Sequence, residues 1–159
     1  MSNEFRISKY DIKKRINGVY TEDDWTSIGD IGTVHNGKEL TYDEYIKTEN
    51  RYLKFIEAVL LKTNTQEIQV TYLEDYSKKC IHKKNEILSS VDDILNMSRD
   101  CLRENYWAKL ECDNLFLHFG YDYYLYVGCD LSFTCINDLV CELGLFVEIT
   151  ESPYKANDE

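Results

Sequence analysis

Apolar and polar residues alternate along the chain with two different periods. Apolar residues recur at steps of three and four in three stretches, which indicates amphipathic helices. The longest stretch follows a capping box formed by Thr41 and Glu44. The second runs from about residue 89 to 103 with Ser90 as its cap, and the third runs from the cap Ser132 to Gly144. The pattern therefore predicts three helices, each with one apolar stripe.

Six shorter segments have strand character, such as the alternation of Phe5 and Ile7 with Arg6 and Ser8, while the roughly thirty positions after the first strand are irregular. The predicted strands cover residues 4–10, 67–73, 106–112, 115–119, 123–127 and 145–149. Ile68, Val70 and Tyr72 are expected to share the apolar face of the second of these strands. A turn at Asp113-Asn114 joins the third strand to the fourth, and the fifth completes a predicted meander.

The order of these elements favours one α+β domain covering residues 1–159. Strands cluster in the middle of the chain instead of alternating strictly with helices, so the sheet is predicted to be mostly antiparallel with three helices packed on it. The 159 residues, 43% of them hydrophobic, suffice for one core but not for a second independent domain. Residues 151–159 are expected to form a frayed tail.

The charge is strongly negative and unevenly distributed. The chain carries 18 Lys and Arg against 29 Asp and Glu, a formal net charge of −11. From Glu104 onward the chain has 11 acidic residues and only two basic ones, so this third of the chain has a formal net charge of −9. Direct binding to nucleic acid is therefore disfavoured, because an acidic surface repels a phosphate backbone.

The N-terminal residues lack the apolar segment of a secretion signal, and no run approaches the roughly 18 apolar residues of a membrane span. This predicts a cytoplasmic protein with no membrane partner and with its six cysteines reduced. The spacings of cysteine and histidine match none of the usual metal-ligand arrangements. No metal or other cofactor is therefore predicted.

No signature of nucleophilic catalysis or phosphate binding surrounds any serine, cysteine or glycine. One acid–base candidate exists, since His118 precedes Asp122 across a turn and the pair could serve a small cytoplasmic hydrolase or transferase. A histidine hydrogen-bonded within a sheet is the other interpretation. We predict a protein without enzymatic activity and keep the hydrolase or transferase as the alternative hypothesis.

The segment HFGYDYYLYVGCD, residues 118–130, combines aromatic and acidic residues. Strand alternation directs Tyr123, Leu125 and Val127 to the core, so Tyr124 and Tyr126 are expected to face outward. Tyrosine is favoured at protein interfaces, and nearby carboxylates attract a basic partner. A solvated acidic face is the alternative. The predicted partner-binding residues are Glu111, Asp113, Asp122, Tyr124 and Tyr126.

Three stretches together resemble a group of small uncharacterised bacterial proteins. They are FRISKYDIKKRINGVYTEDDWTSIGDIG (residues 5–32), WAKLECDNLFLHFGYDYYLYVG (107–128) and LGLFVEITESPY (143–154). That group is associated with immunity proteins of toxin–immunity systems, such as those of contact-dependent growth inhibition. The resemblance implies a protein that neutralises a cognate toxin domain by stoichiometric binding. Many such toxins are nucleases with basic clefts, where an acidic inhibitor can present carboxylates in place of phosphates.

Overall fold

The computed structural model describes residues 3–78 and 81–155, and these contain three α-helices and eleven strands. The helices are α1 (Tyr42–Lys62), α2 (Val91–Leu102) and α3 (Phe133–Leu143). The strands before α1 are β1 (Asn3–Ser8), β2 (Arg15–Ile16), β3 (Val19–Tyr20), β4 (Val34–His35) and β5 (Lys38–Glu39). Those after it are β6 (Ile68–Asp75), β7 (Ile87–Leu88), β8 (Tyr106–Cys112), β9 (Leu115–Phe119), β10 (Leu125–Cys129) and β11 (Phe146–Ile149).

Seven strands form one sheet in the order β11-β1-β10-β9-β8-β6-β7, and each neighbouring pair is antiparallel. Strands β8, β9 and β10 are the predicted meander. The remaining four strands form two small hairpins, β2–β3 and β4–β5. The prediction of an α+β domain with a mostly antiparallel sheet and three helices is therefore confirmed.

The helices begin at the predicted caps. The hydroxyl of Thr41 accepts a hydrogen bond from the backbone N–H of Glu44 at 3.2 Å, and Ser90 and Ser132 cap α2 and α3 in the same way. Gly144 ends α3 with a φ of 68°, a left-handed conformation that glycine adopts without steric cost. These caps satisfy backbone groups that the first and last helical turns leave unpaired.

The core lies between the three helices and one face of the sheet. Apolar side chains from α1, α2, α3 and all seven strands of the sheet form a single buried cluster there. The predicted inward positions of the meander, Tyr123, Leu125 and Val127, are all buried in it. The opposite face of the sheet, which we call the open face, carries the polar residues of the same strands.

One buried ion pair joins the first two helices. Glu49 of α1 is only 1% exposed and accepts hydrogen bonds from Arg103 Nε at 2.7 Å and Nη2 at 2.9 Å. Arg99 Nε lies 3.5 Å from the same carboxylate. Donating these hydrogen bonds to Glu49 raises the pKa of the Arg103 guanidinium, so the arginine stays charged. A carboxylate this deeply buried requires such a partner.

A β-bulge changes the face on which Tyr72 lies. Val70 pairs with Leu110 and Tyr72 with Lys109, so two steps along β6 correspond to one step along β8. The extra residue is Thr71, and it reverses the alternation of the strand beyond it. Ile68 and Val70 are buried as predicted, but Tyr72 turns to the open face. The expectation that Tyr72 shares their face is therefore wrong.

Within the described residues, no helix is both long and apolar enough to cross a membrane. The structure describes five cysteines, of which Cys101 and Cys129 are buried, Cys112 and Cys135 are partly buried and Cys141 is exposed.

Candidate functional site

A row of polar side chains crosses the open face from strand to strand. Strand register places Lys109 beside His118, His118 beside Tyr126, Tyr126 beside Arg6, and Arg6 beside Glu148. Lys109, His118 and Tyr126 are buried, although the three α-helices pack on the opposite face of the sheet. Something else must therefore cover the middle of the open face, and buried polar groups there need partners within the molecule.

Two arginines from the N-terminal part of the chain contact the side chain of Tyr124. Arg15 Nη2 donates a hydrogen bond to the Tyr124 hydroxyl at 2.7 Å, and the Arg6 guanidinium lies 4.8 Å from the centre of its ring. Both arginines also contact Glu148. Trp25 packs edge-on against the same ring at 6.4 Å. Tyr124 lies on the predicted face, but it is half-buried among internal partners and does not face solvent as expected.

Residues 150–155, which we call the strap, run over the open face. The Ser152 backbone N–H donates to Glu4 Oε2 at 3.0 Å, and the Lys155 ammonium binds the same carboxylate. Ser152 is only 7% exposed. The strap is thus ordered where a frayed tail was expected. Residues 156–159 of that predicted tail lie outside the described residues.

The strap covers Tyr126. The ring of Tyr154 packs edge-on against the rings of Tyr126 at 5.7 Å and Trp107 at 5.2 Å. Tyr126 is only 8% exposed as a result. The expectation that Tyr126 faces solvent is therefore wrong, although the prediction of its sheet face is confirmed by its pairing with His118.

His118 is held between Glu111 and the strap. Its Nε2 lies 2.8 Å from Glu111 Oε1, and its Nδ1 lies 2.7 Å from Ser152 Oγ. The ring also stacks on Phe116 with centroids 4.2 Å apart. The hydrogen bond from His118 lowers the pKa of the Glu111 carboxyl, although burial opposes that shift. Glu111, one of the predicted partner-binding residues, thus already has an internal partner.

Serine, histidine and glutamate in this order resemble a catalytic relay, but substrate has no approach to it. His118 is 1% exposed, Ser152 is 7% exposed, and the ring of Tyr154 lies 6.5 Å from the imidazole. A serine nucleophile needs an open position for the carbonyl it attacks. Within the described residues no hydrogen bond joins His118 to Asp122, the partner that the hydrolase hypothesis requires. The hydrogen bonds among Ser152, His118 and Glu111 therefore hold the strap on the sheet.

Asp113 and Asp122 lie at opposite ends of β9. Asp113 is exposed in the turn that precedes the strand, and Asp122 is half-buried in the turn that follows it. Five residues of strand separate the two turns by about 17 Å. The five predicted residues therefore do not form one continuous surface.

Exposed aromatic rings and carboxylates do occur together at the end of the sheet where Asp122 lies. Tyr76 is 57% exposed and Tyr121 is 74% exposed. Burial raises the pKa of Glu104, and the nearby carboxylates of Asp122 and Asp30 raise it further. Burial and Asp30 likewise raise the pKa of Asp122. In the part of the chain that the structure describes, none of these three carboxylates forms a salt bridge.

Tyr72, which the bulge at Thr71 turns to the open face, extends this surface. The hydroxyls of Tyr72 and Tyr76 donate to the two oxygens of Glu74 at 2.5 Å and 2.8 Å, and these bonds lower the pKa of that carboxyl. Trp107 packs edge-on against Tyr72 at 4.9 Å, and its indole N–H donates to the carbonyl of Phe119 at 2.6 Å. The tyrosine–carboxylate surface comprises Tyr72, Glu74, Tyr76, Glu104, Trp107, Tyr121 and Asp122.

Of the residues predicted for partner binding, only Asp122 belongs to this surface. Tyr72 and Glu74 were missed because the bulge at Thr71 is not visible in the alternation of β6. A signal was nevertheless present in YLEDY, residues 72–76, where tyrosine, glutamate and tyrosine occupy every second position. In a strand that spacing places all three side chains on the same face, and the bulge at Thr71 makes it the open face.

Comparisons with models of known protein families, with curated proteins and with solved structures find no match. Function is therefore inferred from the geometry of the open face and the tyrosine–carboxylate surface.

Proposed function

We propose that the protein is an immunity protein that neutralises a cognate bacterial toxin domain by stoichiometric occlusion, docking through the tyrosine–carboxylate surface. The main support is the exposure of Tyr76 and Tyr121 beside carboxylates that have no basic partner among the described residues. The expected partner is a basic domain, such as a nuclease. No turnover is involved, and neither nucleic acid nor a membrane is bound directly.

The carboxylates give this surface a preference for cations. The raised pKa values of Glu104 and Asp122 mean that their ionised forms are held at a cost in the free protein. A cationic partner removes part of that cost on binding. The same field speeds encounter with a basic cleft and rejects acidic proteins. The exposed carboxylate of Asp113 strengthens the field from the other end of β9.

The tyrosines supply contact area around these charges. Tyrosine buries a large amphipathic surface with few rotatable bonds, which makes it a frequent hot spot at interfaces. The hydroxyls of Tyr72 and Tyr76 already hold Glu74 in one orientation, so less conformational entropy is lost when a partner docks. Among the described residues no side-chain hydrogen bond restrains Tyr121, whose ring is 74% exposed. Together they present a preorganised acidic surface.

The test first identifies a candidate toxin, a large secreted protein with a variable C-terminal domain encoded directly upstream of this gene, and then titrates that domain with the protein. We expect a one-to-one complex whose association slows steeply between about 0.05 M and about 0.3 M salt. Asp122→Asn and Tyr121→Ala should each weaken binding at least about tenfold. Asp92→Asn, at the exposed start of α2, removes the same charge elsewhere and should leave affinity unchanged.

Salt-independent association, or equal loss of affinity in the Asp122 and Asp92 variants, would contradict docking through this surface. A toxin that remains active when saturated with the protein would contradict neutralisation itself.

A further inference from the structure

Beyond its first residue, the strap is held on the open face by side chains. The Thr150 N–H donates to the Glu4 carbonyl at 3.3 Å and continues the pairing of β11 with β1, whereas residues 152–155 contact side chains beneath them. We propose that these groups form a binding groove for an extended peptide segment of a partner protein, and that the strap occupies this groove in cis. The segment recognised carries a hydroxyl residue, a tyrosine two positions later and then a basic residue.

The first subsite recognises the hydroxyl. The His118 imidazole is almost fully buried and presents Nδ1 to Ser152 Oγ at 2.7 Å. Glu111 fixes the ring from the other side at 2.8 Å, and Phe116 stacks on its face. The imidazole is therefore held in one orientation by groups outside the strap, which is the property of a preformed site.

The second subsite recognises an aromatic ring. Tyr154 lies against Trp107 and Tyr126, with ring centroids at 5.2 Å and 5.7 Å. The hydrogen bond from Trp107 to the carbonyl of Phe119 keeps the indole in place without the strap. A pocket of about 160 Å³ remains beside Tyr154, lined also by Tyr72 and Lys109, and extends the subsite beyond the phenol. These walls suit an aromatic side chain.

The third subsite recognises backbone and charge together. Glu4 accepts the backbone N–H of Ser152 and binds the ammonium of Lys155. Burial favours the neutral form of Glu4, but the bonds to Lys155 and Ser152 outweigh it and lower its pKa. Glu4 therefore remains anionic and selects an extended backbone followed by a cation. Pro153 keeps the residue before it extended, which prepares the segment for this groove.

The strap competes with any segment added in trans. Because it is tethered, its effective concentration is in the millimolar range, so a free peptide meets an occupied groove in the unaltered protein. Weakening the strap should open the groove without changing its walls. Ser152→Ala with Tyr154→Ala does this in the full chain, since both substitutions remove strap side chains and leave His118, Trp107 and Glu4 in place.

The test uses fluorescence anisotropy with a labelled peptide ITESPYK, which contains the strap and the preceding Ile149. The double variant should bind it at least about tenfold more tightly than the unaltered protein does. Replacing tyrosine by alanine in the peptide, or adding His118→Ala to the double variant, should reduce binding by about tenfold or more. Equal binding of the two peptides would overturn the assigned aromatic subsite.

A second measurement keeps the proposal testable if the double variant folds poorly. Millimolar ITESPYK peptide added to the unaltered protein should increase amide hydrogen exchange in residues 150–155 by displacing the strap. Unchanged exchange at saturating peptide, like absence of binding to a folded double variant, would overturn the groove. The groove and the tyrosine–carboxylate surface share Tyr72 and Trp107, but docking of the toxin domain is tested separately, with the Asp122 and Tyr121 variants.

Discussion

Gly128→Ala should destabilise the protein, because Gly128 lies under an aromatic ring. The residue pairs with Phe116 across β9 and β10. A Cβ atom at position 128 would lie 2.1 Å from Phe116 Cε1 and 2.5 Å from Cδ1. Ordinary van der Waals contact begins at 3.4 Å, so the ring has to retreat by more than 1 Å.

The size of the effect follows from two opposing contributions. Forcing a methyl group into a packed site costs about 1–3 kcal/mol in the free energy of unfolding. The reduced freedom of the unfolded chain returns about 0.5–1 kcal/mol when alanine replaces glycine. We expect a net loss of about 1–2 kcal/mol, which lowers the melting temperature of a domain of this size by about 2–8 °C.

The displaced ring should also loosen the strap. Phe116 stacks on His118, and His118 contacts Ser152, so movement of the ring disturbs the hydroxyl subsite. Urea unfolding gives the loss of stability, with the m-value unchanged if the denatured state is unaffected. Hydrogen exchange in residues 150–155 should increase in the same variant.

A control variant separates the steric effect from a general weakness of β10. In a Phe116→Leu background the ring is absent, so Gly128→Ala should cost much less, and the two substitutions should show a clear coupling energy. The reasoning is refuted if Gly128→Ala is neutral or stabilising with Phe116 present, or if its cost is the same in both backgrounds.

Three further perturbations test the charged groups, each by chemical denaturation. Arg103→Ala should cost about 3 kcal/mol, because it leaves the buried carboxylate of Glu49 with a weaker partner; a cost below about 1 kcal/mol would contradict that burial. The hydrogen bond from His118 lowers the pKa of Glu111, so the ionised carboxylate should make the unaltered protein more stable than the Glu111→Gln variant. This difference in the free energy of unfolding should be complete above the ordinary glutamate pKa and disappear as pH falls through the lowered pKa of the folded state. Burial raises the pKa of Asp122, so Asp122→Asn should stabilise the free protein at pH 7 by less than about 1 kcal/mol, with no advantage below the ordinary aspartate pKa.

Helix ends and strand positions could be predicted because they depend on neighbouring residues. Thr41, Ser90 and Ser132 cap the helices that their local patterns indicate. The bulge at Thr71 could not be predicted, since the run from Ile68 to Tyr72 alternates without interruption. Pairing with β8, about forty residues away, decides where the phase changes.

The groups that cover the open face, Arg15 and the strap, could not be predicted from the sequence either. Alternation correctly placed Tyr124 and Tyr126 opposite the core, but it carries no information about neighbours from distant parts of the chain. Arg15 reaches Tyr124 from 109 positions away. The strap reaches across to Glu4 from 148 positions away. The net charge of −11 does not predict that two of the basic residues, Arg6 and Arg15, contact Tyr124.

The position of β1 between β10 and β11 has a consequence during protein synthesis. Arg6 pairs with Tyr126, which the ribosome adds 120 residues later. At about 5–20 residues per second, β1 waits roughly 6–24 s for its first partner, with the apolar side chains of Phe5 and Ile7 uncovered. Among the described strands, β11 pairs with β1 alone. The nascent chain should therefore depend on chaperones during this interval, and slower translation should lower its soluble yield.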